Sequence, residues 1–149
     1  MNDSDWMTIA LTEAQKAFAA GEVPVGALIV RDDKVLAKAH NRRESMKSAL
    51  AHAELLAIQS ACKKLGGWRL TDCTLYVTLE PCPMCAGAIL NAQIRRVVFG
   101  AKDEKMGAFG GFLDLREKKG LFRTEVEPGV REEESRALLQ DFFRRLREA

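Results

Sequence analysis

The chain has 149 residues, of which 47% are hydrophobic and 30% are charged, and its formal net charge is +2. This composition is typical of a globular protein and excludes a disordered chain, while the near-balanced charge is no evidence for or against nucleic acid. No apolar run approaches the roughly 18 residues of a membrane helix, and the start, MNDSDWMTIA, lacks the basic and apolar regions of a signal peptide, so we expect a cytoplasmic protein.

Apolar periodicity, capping residues and turn residues predict four helices and five strands. In chain order the predicted elements are a helix that starts at Ser4 or Asp5 and ends at Gly21, a hairpin of strands 25–30 and 35–40, a helix over 51–65, a strand over 74–79, a helix over 84–92, strands over 94–100 and 121–127, and a helix over 131–147. A polar loop is expected at 41–50.

This order of elements indicates an α/β fold. Helices alternate with strands after the initial hairpin, which predicts a single mixed β-sheet of about five strands with helices on both faces. No linker divides the chain, so residues 1–149 are expected to form one domain.

A glycine-rich segment, 107-GAFGG-111, precedes the last predicted strand. It is not a phosphate-binding P-loop, because no Gly-Lys-Ser/Thr sequence follows it. We expect a mobile loop near the mouth of the functional site, in which Phe109 is either a side chain that stacks on the substrate or an ordinary loop residue.

The chemistry of the chain is expected around 80-EPCPMCAGAI-89, where two prolines and two cysteines fall within five residues. Cys82 and Cys85 are three positions apart, so they share one face of a helix and can both bind one ion. Pro81 and Pro83 suit the start of that helix, where a missing N–H is tolerated. The N–H groups of the helix start would also favour thiolates over thiols. The motif therefore predicts half of a zinc site.

The other half of the site is expected at 52-HAE-54, at the start of another predicted helix. His52 is a suitable third ligand, and a catalytic zinc site with three protein ligands keeps one position open for water. Glu54 is then placed to move protons to and from that water. A His-x-Glu sequence followed by Pro-Cys-x-x-Cys, here 30 positions from His52 to Cys82, is the signature of zinc deaminases that act on nucleobases.

Simpler interpretations of the same residues remain open. A Cys-x-x-Cys pair also occurs in thioredoxin-like redox sites, although two prolines crowd this one and no thioredoxin pattern surrounds it. His52 and Glu54, taken alone, would be ordinary polar residues at a helix start. A structural zinc site would need a fourth ligand. His40, Cys62 and Cys73 are not suitably spaced to supply it, and we expect the two cysteines to be core residues.

The chain resembles the cytidine deaminase-like superfamily, and within it the bacterial tRNA adenosine deaminases, which convert adenosine to inosine at the wobble position. The matching segments cover most of the chain and are 22-EVPVGALIV-30, 40-HNRRE-44, 51-AHAE-54, 68-WRLTDCTLYVTLEPCPMCAGAIL-90, 96-RVVFGAKD-103 and 141-DFFRRL-146. The resemblance implies a three-layer α/β/α fold, one Zn²⁺ per subunit, a homodimer and the anticodon stem-loop of a tRNA as substrate.

The resemblance also implies a role for individual residues. His52, Cys82 and Cys85 would hold the zinc, and Glu54 would be the catalytic proton shuttle. The positions implied in substrate binding are Asn41, which would hydrogen-bond the nucleoside, Val25, Gly26 and Ala27, which would line the base pocket, and Asp103, near the backbone of the flipped-out nucleotide. Arg42 and Arg43 are the best candidates for phosphate contacts, because they are next to Asn41.

The chain departs from the family pattern in two places. Many relatives carry Asp-Pro-Thr where this chain has 48-SAL-50, and relatives usually carry an Asn-His pair, which would help to hold the anticodon loop, where this chain has 121-LFRTEV-126. One alternative function is a deaminase of a free base or nucleoside, such as guanine or cytidine, that uses the same zinc site. Another is a catalytically silent RNA-binding subunit, which the presence of Glu54 disfavours.

Overall fold

Five strands form one mixed sheet at the centre of the computed structural model, which describes residues 1–149. The strands are β1 (Gly26–Arg31), β2 (Lys34–His40), β3 (Cys73–Leu79), β4 (Arg96–Ala101) and β5 (Glu125–Glu127), in the spatial order β2-β1-β3-β4-β5. Strand β1 pairs antiparallel with β2 and β3, whereas β3, β4 and β5 are parallel. The predicted mixed sheet is confirmed.

Helices cover both faces of the sheet, as predicted. They are α1 (Asp3–Ala19), α2 (Arg43–Met46), α3 (Ala53–Leu65), α4 (Pro83–Asn91) and α5 (Glu132–Glu148). Helices α3 and α4 enclose the larger core on one face, while α1 covers the other face and contacts α5 through an edge-to-face pair of Phe18 and Phe142. None of these helices has both the length and the apolar character that crossing a bilayer requires.

Strand β1 shows how the two faces divide the sequence. Successive side chains of a strand point to opposite faces, so Ala27 lies in the larger core and Leu28 in the smaller core beneath α1. Gly26 faces α1 as well, and a Cβ atom at this position would lie 1.9 Å from the carbonyl oxygen of Ala10. The close contact between α1 and β1 therefore requires glycine at this position.

Helix α1 starts earlier than predicted. Its N-cap is Asn2, rather than Ser4 or Asp5. The Asn2 side chain accepts a hydrogen bond from the Asp5 N–H at 2.9 Å, and the Asp5 carboxylate accepts one from the Asn2 N–H at 3.0 Å. This reciprocal pair is a capping box, in which Asp5 is the third helical residue and not the cap itself.

Part of the predicted loop at 41–50 is helical, because a distant carboxylate holds it. Glu22 is 1% exposed and accepts hydrogen bonds from the backbone N–H groups of Glu44 at 2.9 Å and Ser45 at 2.7 Å. These donors belong to the first turn of α2, whose N–H groups have no partner inside the helix. The short helix therefore depends on a residue 22 positions earlier in the chain.

The last two strands are shorter than predicted. Residue Ile94 is not in a strand, because its N–H donates to the carbonyl of Ile89 and closes the end of α4, and β4 begins at Arg96. In β5 only Glu125–Glu127 pair with β4. Thr124, just before them, donates its hydroxyl to the carbonyl oxygen of Ile94 at 2.7 Å.

Candidate metal and catalytic site

Two helix starts bring together the side chains expected to bind a metal. His52 is the N-cap residue of α3 and Cys82 is the N-cap residue of α4, with Pro83 in the first turn of that helix. His52 Nδ1 lies 3.6 Å from Cys82 Sγ and 3.5 Å from Cys85 Sγ. The three donor atoms all lie within 4.8 Å of one another. The sequence prediction that these residues converge is borne out by the geometry.

The spacing of the donors matches the requirements of zinc. Zinc bonds of about 2.3 Å to sulfur and about 2.0–2.1 Å to nitrogen, at the tetrahedral angle, place a sulfur ligand and a nitrogen ligand about 3.6 Å apart. The observed separations of 3.5 and 3.6 Å agree with that value. No further histidine, cysteine or carboxylate belongs to the group as a fourth ligand. The residues present therefore fit a catalytic ion with an open position better than a closed structural site.

The other ligand-type residues are occupied elsewhere. Cys73 is fully buried in the larger core, and Cys62 packs at the edge of that core with its sulfur 3.8 Å from the carbonyl oxygen of Trp68. The Nδ1 atom of His40 lies 3.0 Å from the carbonyl oxygen of Asn41. The expectation of a core residue is confirmed for Cys73, whereas Cys62 is only partly buried and also lines a groove on the surface.

The two cysteines of the site differ in acidity. Hydrogen bonds from the Cys85 thiol and from His52 lower the pKa of Cys82 to about 4, although burial opposes its ionisation. The pKa of Cys85 is raised, first because its thiol donates to Cys82 and second because it is buried. The hydrogen bond with Cys82 also raises the pKa of His52. Cys82 is therefore the more acidic thiol of the pair, and a bound cation would favour the thiolate of both cysteines.

Glu54 places a carboxyl group beside the three donors. Its side chain is 3% exposed, and its Oε1 atom is buried without a hydrogen-bond partner. Burial raises the pKa of Glu54 to about 7, and smaller influences on it come from His52, Cys82 and Cys85. A buried polar atom without a partner is rare in proteins, and here it is available to a substrate or a water molecule.

A cavity of about 1460 Å³ opens over this group. Of the residues expected in metal binding and catalysis, His52, Glu54 and Cys82 line it, while Cys85 is fully buried beneath. Of those expected in substrate binding, the lining residues are Val25, Asn41, Arg43 and Asp103. Gly26 faces α1, Ala27 is fully buried in the core and Arg42 is exposed outside the lining. The sequence motif 25–27 thus presents one residue, Val25, to the cavity.

Asn41 is held in place at the cavity wall. Its Nδ2 donates to the carbonyl oxygen of Val23 at 3.3 Å, and its Oδ1 accepts from the N–H of Arg43 at 3.2 Å. Each end of the amide keeps further hydrogen-bonding capacity, because the NH₂ group has two hydrogens and the oxygen two lone pairs. Asn41 can therefore bind a polar group in the cavity while its own orientation stays fixed.

The chain is similar in sequence to known deaminases along almost its whole length. The model of the MafB19-like deaminase family matches residues 1–147. The tRNA-specific adenosine deaminase of Bacillus subtilis (strain 168) is 50% identical over 146 residues, which cover 97% of this chain and 91% of that protein. The chain belongs to the tRNA-specific adenosine deaminases. The family resemblance inferred from the motifs is therefore confirmed.

Solved structures of deaminases share the fold of this family member. One, from a study of A-to-I editing by tRNA:A34 deaminases at the wobble position of transfer RNA, aligns with a TM-score of 0.85 at 42% identity and covers 91% of this chain and 99% of its own. The guanine deaminase of Bacillus subtilis aligns with a TM-score of 0.66 at 41% identity over 68% of this chain and 66% of its own. The cytidine deaminase-like fold expected from the resemblance is confirmed.

Helix α5 forms a wall of the deaminase cavity that sequence reasoning missed. The residues that it presents to the cavity include Arg136, Gln140, Phe143 and Arg147. They follow the spacing i, i+4, i+7 and i+11 of one helix face. That polar and aromatic stripe runs beside the apolar core stripe of the same helix and was the available signal.

Phe109 of the glycine-rich loop is neither a stacking residue nor an ordinary loop residue, the two alternatives that the sequence left open. Phe109 is 3% exposed and packs in the larger core, so it is not available to stack on a substrate. The N–H groups of Phe109 and Gly111 donate to the carboxylate of Glu80, at 3.0 and 2.9 Å. The loop is therefore fastened to the residue that precedes Pro81 and Cys82, a contact that the sequence did not suggest.

Proposed function

We propose that the protein is a zinc-dependent hydrolase of one domain that deaminates adenosine to inosine at the wobble position of a tRNA anticodon. The observation that carries the proposal is the convergence of His52, Cys82 and Cys85 beside the unpartnered Oε1 of Glu54, at the base of a large cavity. Membership of the tRNA-specific adenosine deaminases supports the choice of substrate.

The chain's own residues supply ligands and a proton carrier. When bound by His52, Cys82 and Cys85, zinc supplies a Lewis acid that lowers the pKa of water from about 15.7 towards about 7. Glu54 accepts one proton of the attacking water at its carboxylate and delivers it to the ring nitrogen; it then accepts the remaining proton from the hydroxyl on carbon 6 and delivers it to the departing amine. Carbon 6 of adenine thereby gains an oxygen, and ammonia leaves. The burial that raises the pKa of Glu54 to about 7 suits a group that must both accept and release a proton near neutral pH.

The size of the cavity supports a nucleotide within a loop over a free base. Pockets for small ligands enclose roughly 300–1,000 Å³, and this cavity encloses about 1460 Å³. A target base must leave its stack to reach a buried site, and an anticodon loop presents bases that are already splayed. The remaining space would hold the neighbouring nucleotides of the loop.

Cationic side chains at the cavity support an RNA substrate. Those that line it are Arg43, Lys102, Lys105, Arg136 and Arg147. Arg136 is paired with Glu132 at 2.6 Å, which reduces its availability to phosphate. Of the two arginines expected to contact phosphate, Arg43 lines the cavity and Arg42 does not. We therefore assign the phosphate contact to Arg43.

We also propose that two copies associate through the outer side of α3 and α4. An apolar groove of about 380 Å³ lies there, between residues that include Leu55, Ile58, Trp68 and Ala88. Trp68 is 53% exposed and is part of this contiguous apolar lining, and exposed apolar patches of this kind mark interaction surfaces. A homodimer would cover this groove and leave the catalytic cavity open, and the enzyme would act in the cytoplasm, where its tRNA substrate is found.

The proposed reaction is tested by comparing kcat/KM for four substrates. The protein, loaded with zinc, is incubated with an anticodon stem-loop that carries adenosine at the wobble position, and separately with free guanine, adenosine and cytidine. Inosine and ammonia are measured, and kcat/KM is compared. We expect the stem-loop to be deaminated with the highest kcat/KM. A higher kcat/KM for guanine or cytidine would contradict the proposal and favour a deaminase of free bases or nucleosides.

A further inference from the structure

The residue just before the Pro-Cys motif has a buried carboxylate with an unusual set of partners. Glu80 follows the last residue of β3 and is 2% exposed. Its Oε1 accepts the N–H of Asp103 at 3.0 Å, and its Oε2 accepts the N–H groups of Phe109 at 3.0 Å and Gly111 at 2.9 Å. Three backbone donors compensate the burial of the charge. Glu80 thus holds both ends of the loop 103–111.

Two glycines of this loop are shaped around the Glu80 side chain. A Cβ atom at Gly107 would lie 2.3 Å from the Glu80 carboxylate, and one at Gly111 would lie 2.6 Å from its Oε1. Both distances are shorter than any contact that a real Cβ atom makes. The glycine-rich composition of 107-GAFGG-111 therefore allows the backbone to close over the carboxylate.

The same loop is joined to the metal-binding segment and to the cavity. The Ala108 N–H donates to the carbonyl oxygen of Pro81 at 2.9 Å, one residue before Cys82. At the other end, residues 102–106 line the cavity and carry Lys102 and Lys105. A displacement of the loop from Glu80 would therefore move a wall of the cavity, whereas helices α3 and α4 also fix the positions of His52, Cys82 and Cys85.

We propose that Glu80 is a positioning residue that fixes the loop 102–111 as the substrate-binding wall of the cavity. This role for Glu80 rests on the proposed function for the identity of the substrate, whereas the contacts that Glu80 makes are independent of it. Glu80 itself lines the cavity, but in this role it acts on neither the base nor the metal directly. It acts through the backbone of the loop and sets the position of the two lysines relative to the zinc site.

The first test replaces Glu80 with glutamine, which preserves the shape of the side chain. The amide NH₂ of the variant must face at least one of the three N–H donors, so at least one hydrogen bond is lost. We expect amide hydrogen exchange at Asp103, Phe109 and Gly111 to accelerate by about tenfold or more, the value for loss of one hydrogen bond to a charged acceptor. The matched control is Glu125→Gln, which removes the same charge from an exposed position of β5. Unchanged exchange in Glu80→Gln would overturn the proposal.

The second test separates positioning from a general loss of structure. In Glu80→Gln we expect KM for the stem-loop to rise about tenfold while kcat changes by less than about threefold, because substrate binding is weakened and the chemistry is retained. Zinc content should equal that of the wild type. A fall in kcat at constant KM would indicate only a smaller folded fraction and would overturn the proposed role. If the wild-type protein does not deaminate the stem-loop, the proposed function fails, and hydrogen exchange still decides whether Glu80 holds the loop.

A third variant approaches the same contact from the loop. Gly107→Ala places a methyl group against the Glu80 carboxylate and should raise KM to a similar extent. The methyl group would also lie 2.4 Å from the carbonyl oxygen of Asp103, so Gly107→Ala disturbs two contacts, of which one is shared with Glu80→Gln. The factor by which KM rises in the double variant Glu80→Gln/Gly107→Ala should therefore be smaller than the product of the two single factors. Additive effects in the double variant would show that the two residues act independently and would contradict the proposal.

Discussion

His52 and Cys82 each occupy the N-cap position of a helix, and the Nδ1 atom of one lies 3.6 Å from the Sγ atom of the other. Both N-cap residues have an extended backbone conformation, so their side chains lie beyond the first turn of the helix and not along its side. The starts of α3 and α4 can therefore meet at one point while strand β3 lies between them in the sequence. Two separate local structures thus build one metal site.

Removal of a ligand should remove the metal. In Cys82→Ser we expect zinc content, measured by atomic emission, to fall from about one per chain to less than about 0.1, because a hydroxyl is a poor ligand beside one thiolate and one imidazole. Deaminase activity should be lost with the metal. Cys73→Ser is a demanding control, since this cysteine is buried in the core outside the donor group. Full zinc content in Cys82→Ser would rule out the assigned ligand set.

Substitution of Glu54 should separate catalysis from metal binding. Glu54→Ala should keep its zinc but deaminate the stem-loop about 10²–10⁴-fold more slowly, because the proton carrier is lost. Single-turnover rates and zinc content are measured on the same preparation, with Glu125→Gln as a control outside the cavity. Near-normal turnover by the zinc-loaded variant would remove Glu54 from this role.

Activity on the stem-loop should decrease steeply with salt, because cations of the protein neutralise phosphates. The double variant Lys102→Ala/Arg147→Ala removes two cations that line the cavity. We expect the slope of log(kcat/KM) against log[salt] to become shallower by about 1.4, from about 0.7 for each lost phosphate contact. Lys34→Ala, at the exposed first residue of β2, should leave the slope unchanged. If kcat/KM of the wild type does not change with salt concentration, the substrate is a small uncharged molecule instead.

The apolar groove between α3 and α4 leads to a prediction about assembly. Ala88→Arg should place a charge within this groove and prevent association, so the mass from sedimentation velocity should fall from that of two chains to that of one. Ala137→Arg adds the same side chain to an exposed position of α5 and should leave the mass unchanged. A wild-type protein that sediments as a single chain at micromolar concentration would contradict the dimer.

An ion pair that joins α1 to the sheet should make stability depend on pH. The Arg96 guanidinium donates to Asp3 at 2.9 and 2.6 Å, and Tyr76 donates its hydroxyl at 2.8 Å. The hydrogen bonds to Arg96 are the main reason that the pKa of Asp3 is lowered in the folded protein. The unfolded chain then binds the proton more readily, so the stabilisation is complete above the unfolded pKa and is lost as pH falls through the folded pKa.

Asp3→Asn should therefore reduce the free energy of unfolding by about 1–2 kcal/mol at pH 7. The difference from the wild type should shrink as the pH falls below about 3.9, the ordinary pKa of aspartate. Urea unfolding at a series of pH values measures it, with Asp33→Asn in the exposed hairpin turn as a control. A constant difference between wild type and Asp3→Asn at all pH values would show that packing, rather than the charge of Asp3, is responsible.

Local patterns predicted that His52, Cys82 and Cys85 converge, because the decisive information is local. The spacing of Cys82 and Cys85 and the prolines around them define a helix start, and 52-HAE-54 precedes an apolar helical stripe. The contacts of Glu22 and Glu80 were not predictable in this way. Each carboxylate accepts hydrogen bonds from backbone N–H groups more than 20 positions away. Neither the sequence separation nor the residue type indicates which N–H groups these are.

The wall formed by α5 illustrates the same difference. Periodicity predicted the helix over 131–147, close to its observed extent of Glu132–Glu148, but not which element its second face would approach. That approach depends on how α5 crosses the sheet, and the crossing requires Gly100, where a Cβ atom would lie 2.5 Å from Ser135 Oγ. Gly100 therefore lets α5 pack against β4 at Ser135, and in this position Arg136 and Arg147 line the cavity.

The ion pair at Asp3 and the lining position of Arg147 lie at opposite ends of β4. Asp3 is fixed beside Arg96, the first residue of that strand, whereas Arg147 shares the cavity with Lys102, which follows its last residue. An affinity tag or a fused protein attached before residue 1 would thus emerge away from the opening through which a stem-loop enters. The same attachment after Ala149 would emerge beside that opening and compete with the nucleic acid for space.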